Sequence, residues 1–309
     1  MKILAADIGG TKTLMMIAAC DAGRCTPLIE RTFTSAAHTD FNTVVKEFLR
    51  QAGKHAHGLD SACIAVAGPV HGDHARVTKL PWVLDVNVLQ PLTGAGRVRL
   101  INDFQAVGWG LTEVPREELH TLQEGKRQKH APMAVIGAGT GLGQAIAVWQ
   151  KDHYDILATE GGHVEFGPTD AEQDALLRYT RQRFGHVSYD RLASGPGLAI
   201  IYEFLTTDQG LQPTAELAAA VAEGDTGAAL GRFCISGSDP LAEHAIDLFL
   251  RIYGAQAGNL ALSCLPRGGL FIAGGIAARI LPRLRAGGFM QAFHDKGRMS
   301  GLLAEIPVQ

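Results

Sequence analysis

Asp7-Ile8-Gly9-Gly10-Thr11 and Gly137-Ala138-Gly139-Thr140-Gly141-Leu142-Gly143 are the stretches whose reading decides the fold. Each follows a short apolar run, residues 2–6 and 133–136, and each leads into another, 14–20 and 144–149. Strand, glycine turn, strand is therefore expected twice, once near the start of each half. Successive backbone N–H groups without side chains make a concavity that accepts an anion, so either turn could cradle phosphate; a plain tight hairpin is the alternative for one such turn alone. Two familiar phosphate motifs do not fit. Thr11 stands before Lys12-Thr13 where G-x-x-x-x-G-K-[ST] needs Gly, and Leu142 takes the last Gly position of G-x-G-x-x-G. That fingerprint also opens a helix, whereas both turns here open a strand.

A third glycine site, Gly274-Gly275, follows the apolar run 270–273 and precedes a helical pattern over 276–285. Glycine there lets backbone approach a flat ligand closely, or serves helix–strand packing. Three glycine sites ending three apolar strands in two halves point to a nucleotide held between lobes.

Further strands are expected at 62–67, 76–80 and 97–101, and a short one at 306–309. Phe41, Val44, Val45, Phe48 and Leu49 recur at helical spacing over 41–52. The second half is largely helical, with amphipathic spacing over 171–184, 197–205, 214–222 and 240–262. Alternating strands and helices give an α/β class. The polar stretch 113–132 reads as a domain connection, giving a small α/β domain from 1–112 plus 296–309 and a large one from 113–295.

The chain of 309 residues is 46% hydrophobic and 19% charged, enough apolar material for an extensive core. Its formal net charge of −3 exerts no long-range pull on nucleic acid or anionic membrane, so neither partner is expected. The first apolar run stops at Asp7, too short for a secretory leader, and no uncharged stretch is long enough to span a bilayer. Five cysteines, Cys20, Cys25, Cys63, Cys234 and Cys264, form no CxxC pair and read as reduced thiols of a cytoplasmic protein.

Asp103 follows a strand and opens a helix in Asn102-Asp103-Phe104-Gln105. An acid there can cap the helix. It can also act as a general base, because a sugar hydroxyl is a poor nucleophile until a carboxylate takes its proton. Glu160-Gly161-Gly162-His163 sets a carboxylate and an imidazole across two glycines. A metal pair is conceivable, yet only Glu160 and Glu165 lie near His163 in sequence. Hydroxyl recognition explains these residues better: Glu accepts from hydroxyls and His donates or accepts.

Taken together, Asp7–Thr11, 137–143 and Gly274-Gly275 resemble, in order and separation, the two phosphate motifs and the adenosine motif of the sugar kinase, actin and chaperone ATPase superfamily. Ile101-Asn102-Asp103-Phe104, Thr159–His163, Gly185-His186-Val187-Ser188 and Ser194-Gly195-Pro196-Gly197-Leu198 resemble the bacterial glucokinase family within it. The resemblance covers essentially the whole chain. It implies a two-domain actin-like (ribonuclease H-like) ATPase fold with a nucleotide and sugar cleft between the lobes, and a homodimer.

It also implies ATP and Mg²⁺ as cofactors and glucose as substrate, with Asp103 as the base toward the 6-hydroxyl. ATP phosphates would lie on Ala6, Asp7, Ile8, Gly9, Gly10, Thr11 and Lys12 and on Gly137, Gly139, Thr140 and Gly141, with adenosine at Gly274 and Gly275. Asp7 would orient the Mg²⁺ hydration shell. Glucose would contact Asn102, Glu160, His163 and Asp190, with Gly68 and Pro69 as a wall. Asp190 departs from the pattern, since the family usually has Glu there. The zinc-bearing repressor–kinase group is not matched: His163 is followed by Val164-Glu165-Phe166-Gly167-Pro168, without cysteine until Cys234. Kinases of mannose, fructose or N-acetylglucosamine, and a non-catalytic sugar sensor, are the alternatives on the same fold.

Overall fold

The computed structural model describes residues 1–21 and 24–309 and divides them into two compact units, Met1–Val107 and Gly108–Gln309. In the first, β1 (Lys2–Ile8), β2 (Lys12–Asp21) and β3 (Arg24–Thr34) form an antiparallel meander. β4 (Ser61–Val66) and β8 (Val98–Asn102) add in parallel to give the order β3-β2-β1-β4-β8. The helix Phe41–Ala52 buries Phe41, Val44, Val45 and Phe48 against this sheet's core residues Leu4, Ile8, Met15, Ile17, Ile64 and Val66. It starts where the Asp40 side chain accepts the Thr43 N–H and ends at Gly53. The strand expected at 76–80 is displaced. β5 (Val70–His71), β6 (His74–Arg76) and β7 (Val83–Asp85) make a separate small sheet, and residues 77–82 form the loop between its last two strands.

The second unit repeats the plan. β9 (Met133–Ala138), β10 (Leu142–Gln150) and β11 (His153–Thr159) form an antiparallel meander, and β12 (Gly269–Ala273) joins β9 in parallel. Its next neighbour is the C-terminus: Leu270 N–H donates to Pro307 O, Ile272 N–H to Gln309 O, and Val308 also bridges to Gln123. The grouping of 296–309 with the first unit is thus corrected, and the division falls at 107/108 instead of 112/113. Ile306 and Val308 bury themselves in the second core, where β12 offers an open parallel edge.

Around this sheet the helix Pro240–Cys264 is central. Leu248, Phe249 and Leu250 are consecutive and all buried, so the helix is covered on more than one face and not along one stripe. The helix expected over 276–285 breaks into Gly275–Arg279 and Leu281–Arg285, with Pro282 in the first turn of the second piece.

The thiol reading is also corrected. Cys20 and Cys25 are disulfide-bonded, because the β2–β3 register sets them directly opposite one another. Cys63, Cys234 and Cys264 are free, and burial pushes the last two up to about 11 and about 12. No helix among the described residues is long and apolar enough to cross a membrane.

Candidate active site

The first glycine turn is the β1–β2 hairpin. Gly9 N–H donates to Lys12 O at 2.9 Å. Ser35, wholly buried, braces the turn from outside the motif: its hydroxyl donates to Gly9 O at 3.0 Å, its N–H to Thr11 O at 2.9 Å, and its Oγ meets buried Thr13 Oγ1 at 3.0 Å. Asp7 projects from the end of β1, and desolvation pushes its carboxyl above the ordinary carboxylate range although its side chain reaches solvent.

At the end of β8, in the same unit, Asn102 and not Asp103 caps the helix Asp103–Gly110. Asn102 Oδ1 accepts the N–H groups of Phe104 at 2.9 Å and Gln105 at 3.3 Å. Its Nδ2 donates to Gly68 O at 3.4 Å, tying the helix start to the Gly68-Pro69 wall. Asp103 occupies the first helical position, and its Oδ1 shares the Phe104 N–H at 2.9 Å. The capping reading of Asp103 therefore passes to its neighbour.

In the second unit, Gly139 N–H donates to Gly141 O, and Gly195 N–H to Gly139 O, both at 2.8 Å. Space beside Gly139 is open: a Cβ there would meet nothing within 4 Å, and the same holds at Gly275. Gly274 has φ 90°, and a Cβ on it would lie 2.4 Å from Ala138 O, so only glycine brings this strand end so close to β9. Backbone turns braced from behind and open in front fit a polyphosphate and a flat base.

Three side chains expected to hold the sugar meet beside this turn. His163 Nε2 lies 3.8 Å from Glu160 Oε2, and its Nδ1 lies 4.0 Å from Asp190 Oδ2. Asp190 turns its other oxygen to the glycine turn, where Oδ1 accepts the Leu142 N–H at 2.7 Å. Leu142 O in turn packs on Gly162, whose Cβ would lie 2.0 Å away. The helix Pro240–Cys264 supports both loops from beneath. Gln256 Nε2 donates to Gly161 O at 3.0 Å. Asn259 Nδ2 donates to Gln256 Oε1 at 3.1 Å and to Tyr189 OH at 3.2 Å. Tyr189, the neighbour of Asp190, is buried, which pushes its hydroxyl above the usual range.

Known proteins resemble this chain over nearly its whole length. The glucokinase family matches residues 4–309. The chain belongs to the glucokinase family. A glucokinase of Nostoc sp. is 42% identical over 320 residues, covering 99% of this chain and 93% of that protein. The crystal structure of a glucokinase from an Antarctic psychrotroph superposes with a TM-score of 0.80 at 28% identity, covering 99% and 93% of the two chains. That of Balamuthia mandrillaris glucokinase in complex with glucose gives 0.82 at 21% identity, covering 99% and 88%. The fold is that of the actin-like sugar kinases.

Within that family fold, the structure brings Glu160, His163 and Asp190 together in the second unit. It brings Asn102, Asp103 and Gly68 together in the first. Sequence reasoning missed Ser35, Gln256, Asn259 and Tyr189: Ser35 and Gln256 hold backbone carbonyls of the motifs, and Asn259 ties Gln256 to Tyr189. The one signal was polarity on core-facing positions: Thr13, Ser35 and Gln256 are buried among apolar neighbours, and buried polar groups need partners.

Proposed function

We propose that the chain transfers the γ-phosphoryl of ATP to the 6-hydroxyl of glucose, with Asp103 as general base. The observation that carries this is the convergence of Glu160 and His163, from one loop, with Asp190, from the short helix Tyr189–Leu192, beside a glycine turn that Asp190 itself engages. A carboxylate accepts from sugar hydroxyls, and an imidazole donates or accepts, so this cluster suits vicinal hydroxyls. Asn102 and Asp103 supply the sugar contacts of the first unit, with Gly68 and Pro69 as the wall beside them.

Asp103 takes the hydroxyl proton as the oxygen attacks phosphorus. Ala6 to Lys12 and the turn of Gly137, Gly139, Thr140 and Gly141 hold the phosphates, and Gly274 and Gly275 admit the adenosine. Asp7 would hold Mg²⁺ through water; its carboxylate suits a hard cation, which when bound neutralises charge on the phosphate oxygens. Location in the cytoplasm and assembly as a homodimer belong to the same reading; sedimentation reads the latter.

The test is a coupled assay of ADP release over a panel of glucose, mannose, fructose and N-acetylglucosamine. Glucose should give the highest kcat/KM. A higher value with another hexose would move the specificity assignment, and no turnover with any sugar would favour a sensor.

A further inference from the structure

The loop of residues 77–82 lies between the Gly68 wall and the first glycine turn. It is pinned by buried Val77 and Trp82, with Val77 N–H donating to Trp82 O at 3.1 Å, and it presents Thr78 and Lys79 outward. On one side it is tied to the sugar wall. Thr78 N–H donates to Ala67 O at 3.0 Å, and a Cβ on Gly68 would meet Thr78 Oγ1 at 3.0 Å. Gly68 is the residue whose carbonyl takes the Asn102 amide. On the other side the stem of Lys79 lies along the first glycine turn. A Cβ on Gly10 would meet Lys79 Cβ, Cδ and Cγ at 3.1, 3.4 and 3.7 Å.

A surface lysine is ordinarily solvated and mobile. Here the absence of a side chain at Gly10 leaves room for the aliphatic stem beside the phosphate turn. The line Asn102–Gly68–Thr78–Lys79–Gly10 runs within one unit from sugar contact to phosphate contact. Cations are scarce there: among residues given to the phosphates, Lys12 alone is basic, and 137–143 carries none. Phosphoryl transfer spreads negative charge over the moving oxygens, and a lysine serves as a point charge for them.

We propose that Lys79 is a catalytic cation of this reaction, its ammonium neutralising the oxygens of the phosphoryl group in transfer. This rests on the reading of the Asp7–Lys12 turn as a phosphate site. The bond from phosphorus to the ADP oxygen breaks, and the bond to the sugar 6-oxygen forms. The hydroxyl proton goes to Asp103, and Lys79 stays protonated throughout.

Lys79→Met keeps an unbranched stem on Gly10 and removes the charge; Lys79→Arg keeps the charge. For Lys79→Met, kcat should fall about 10²-fold, the usual effect of removing one preorganised donor. Glucose affinity, read by tryptophan fluorescence, should stay within about twofold. Affinity for ADP–aluminium fluoride in the presence of glucose should fall about as far as kcat, and affinity for ADP alone far less. Lys79→Arg should retain at least about a tenth of kcat. Unchanged kcat in Lys79→Met, or a loss confined to the KM for ATP, would overturn the assignment. Asp103→Asn measured alongside separates the two readings: if it too turns over normally, the phosphoryl-transfer reading has failed, whereas an inactive Asp103→Asn beside a normal Lys79→Met sinks only the lysine.

Discussion

Asp190→Ala should weaken ATP as well as glucose, although the residue resembles a sugar ligand. One carboxylate oxygen faces His163 at 4.0 Å, and the other accepts the Leu142 N–H at 2.7 Å in the second glycine turn. Leu142 is only 4% exposed, so water cannot readily replace the lost acceptor. A hydrogen bond to a charged group contributes about 1.5–3 kcal/mol. At about 1.4 kcal/mol per factor of ten, full expression of that loss in nucleotide binding is about ten- to hundredfold. The KM for each substrate should therefore rise at least about tenfold in Asp190→Ala. Asp190→Asn retains an oxygen for Leu142 but not the charge facing His163. It should return the ATP constant to within about threefold of wild type while glucose stays weak. Asp190→Glu restores the usual family residue, but its longer carboxylate has to repack against Gly141, where a Cβ would already lie 2.6 Å from Asp190 Oδ1. Steady-state kinetics, with calorimetric binding of a non-hydrolysable ATP analogue, distinguish these cases. Wild-type constants for both substrates in Asp190→Ala would refute the reasoning, and a loss restricted to glucose would refute the brace on the turn.

Asp103→Asn should lower kcat by roughly 10²–10⁴-fold with a much smaller change in glucose binding, as measured by the coupled assay and fluorescence titration; near-normal turnover would remove Asp103 as the base. Gly162→Ala places a methyl 2.0 Å from Leu142 O, a backbone atom that cannot step aside cheaply. It should destabilise the protein by about 1–3 kcal/mol in urea unfolding and raise the glucose KM; unchanged stability would contradict this packing. Burial alone would raise the Asp239 carboxyl, but the N–H groups of Thr214 and Ala242 outweigh it and hold the group below its ordinary range. Its unfolded value is about 3.9, so its contribution is complete above that pH and is lost as pH falls through the lower folded value. Asp239→Asn should lose less stability than wild type between pH 5 and about 2, read from urea midpoints, and parallel curves would count against the linkage.

Local chemistry was legible in the chain itself. Glycine-rich turns between apolar runs announced both hairpins, because few other sequences reverse a strand so tightly. The periodicity over 41–52 gave the helix Phe41–Ala52 without error. Asn102-Asp103 marked a helix start, although which residue capped it was open until side-chain directions were known. What stayed hidden depends on partners distant in sequence. The C-terminal residues join β12 because that strand has an open parallel edge, and an edge is a property of the assembled sheet. The Cys20–Cys25 bond needed the β2–β3 register. Ser35 and Gln256 hold backbone carbonyls of the motifs, and no motif records a contact made through backbone. Composition and spacing thus determined which chemistry the chain can present. Tertiary packing decided how it is held, because buried polar side chains take their partners from whatever the fold sets beside them.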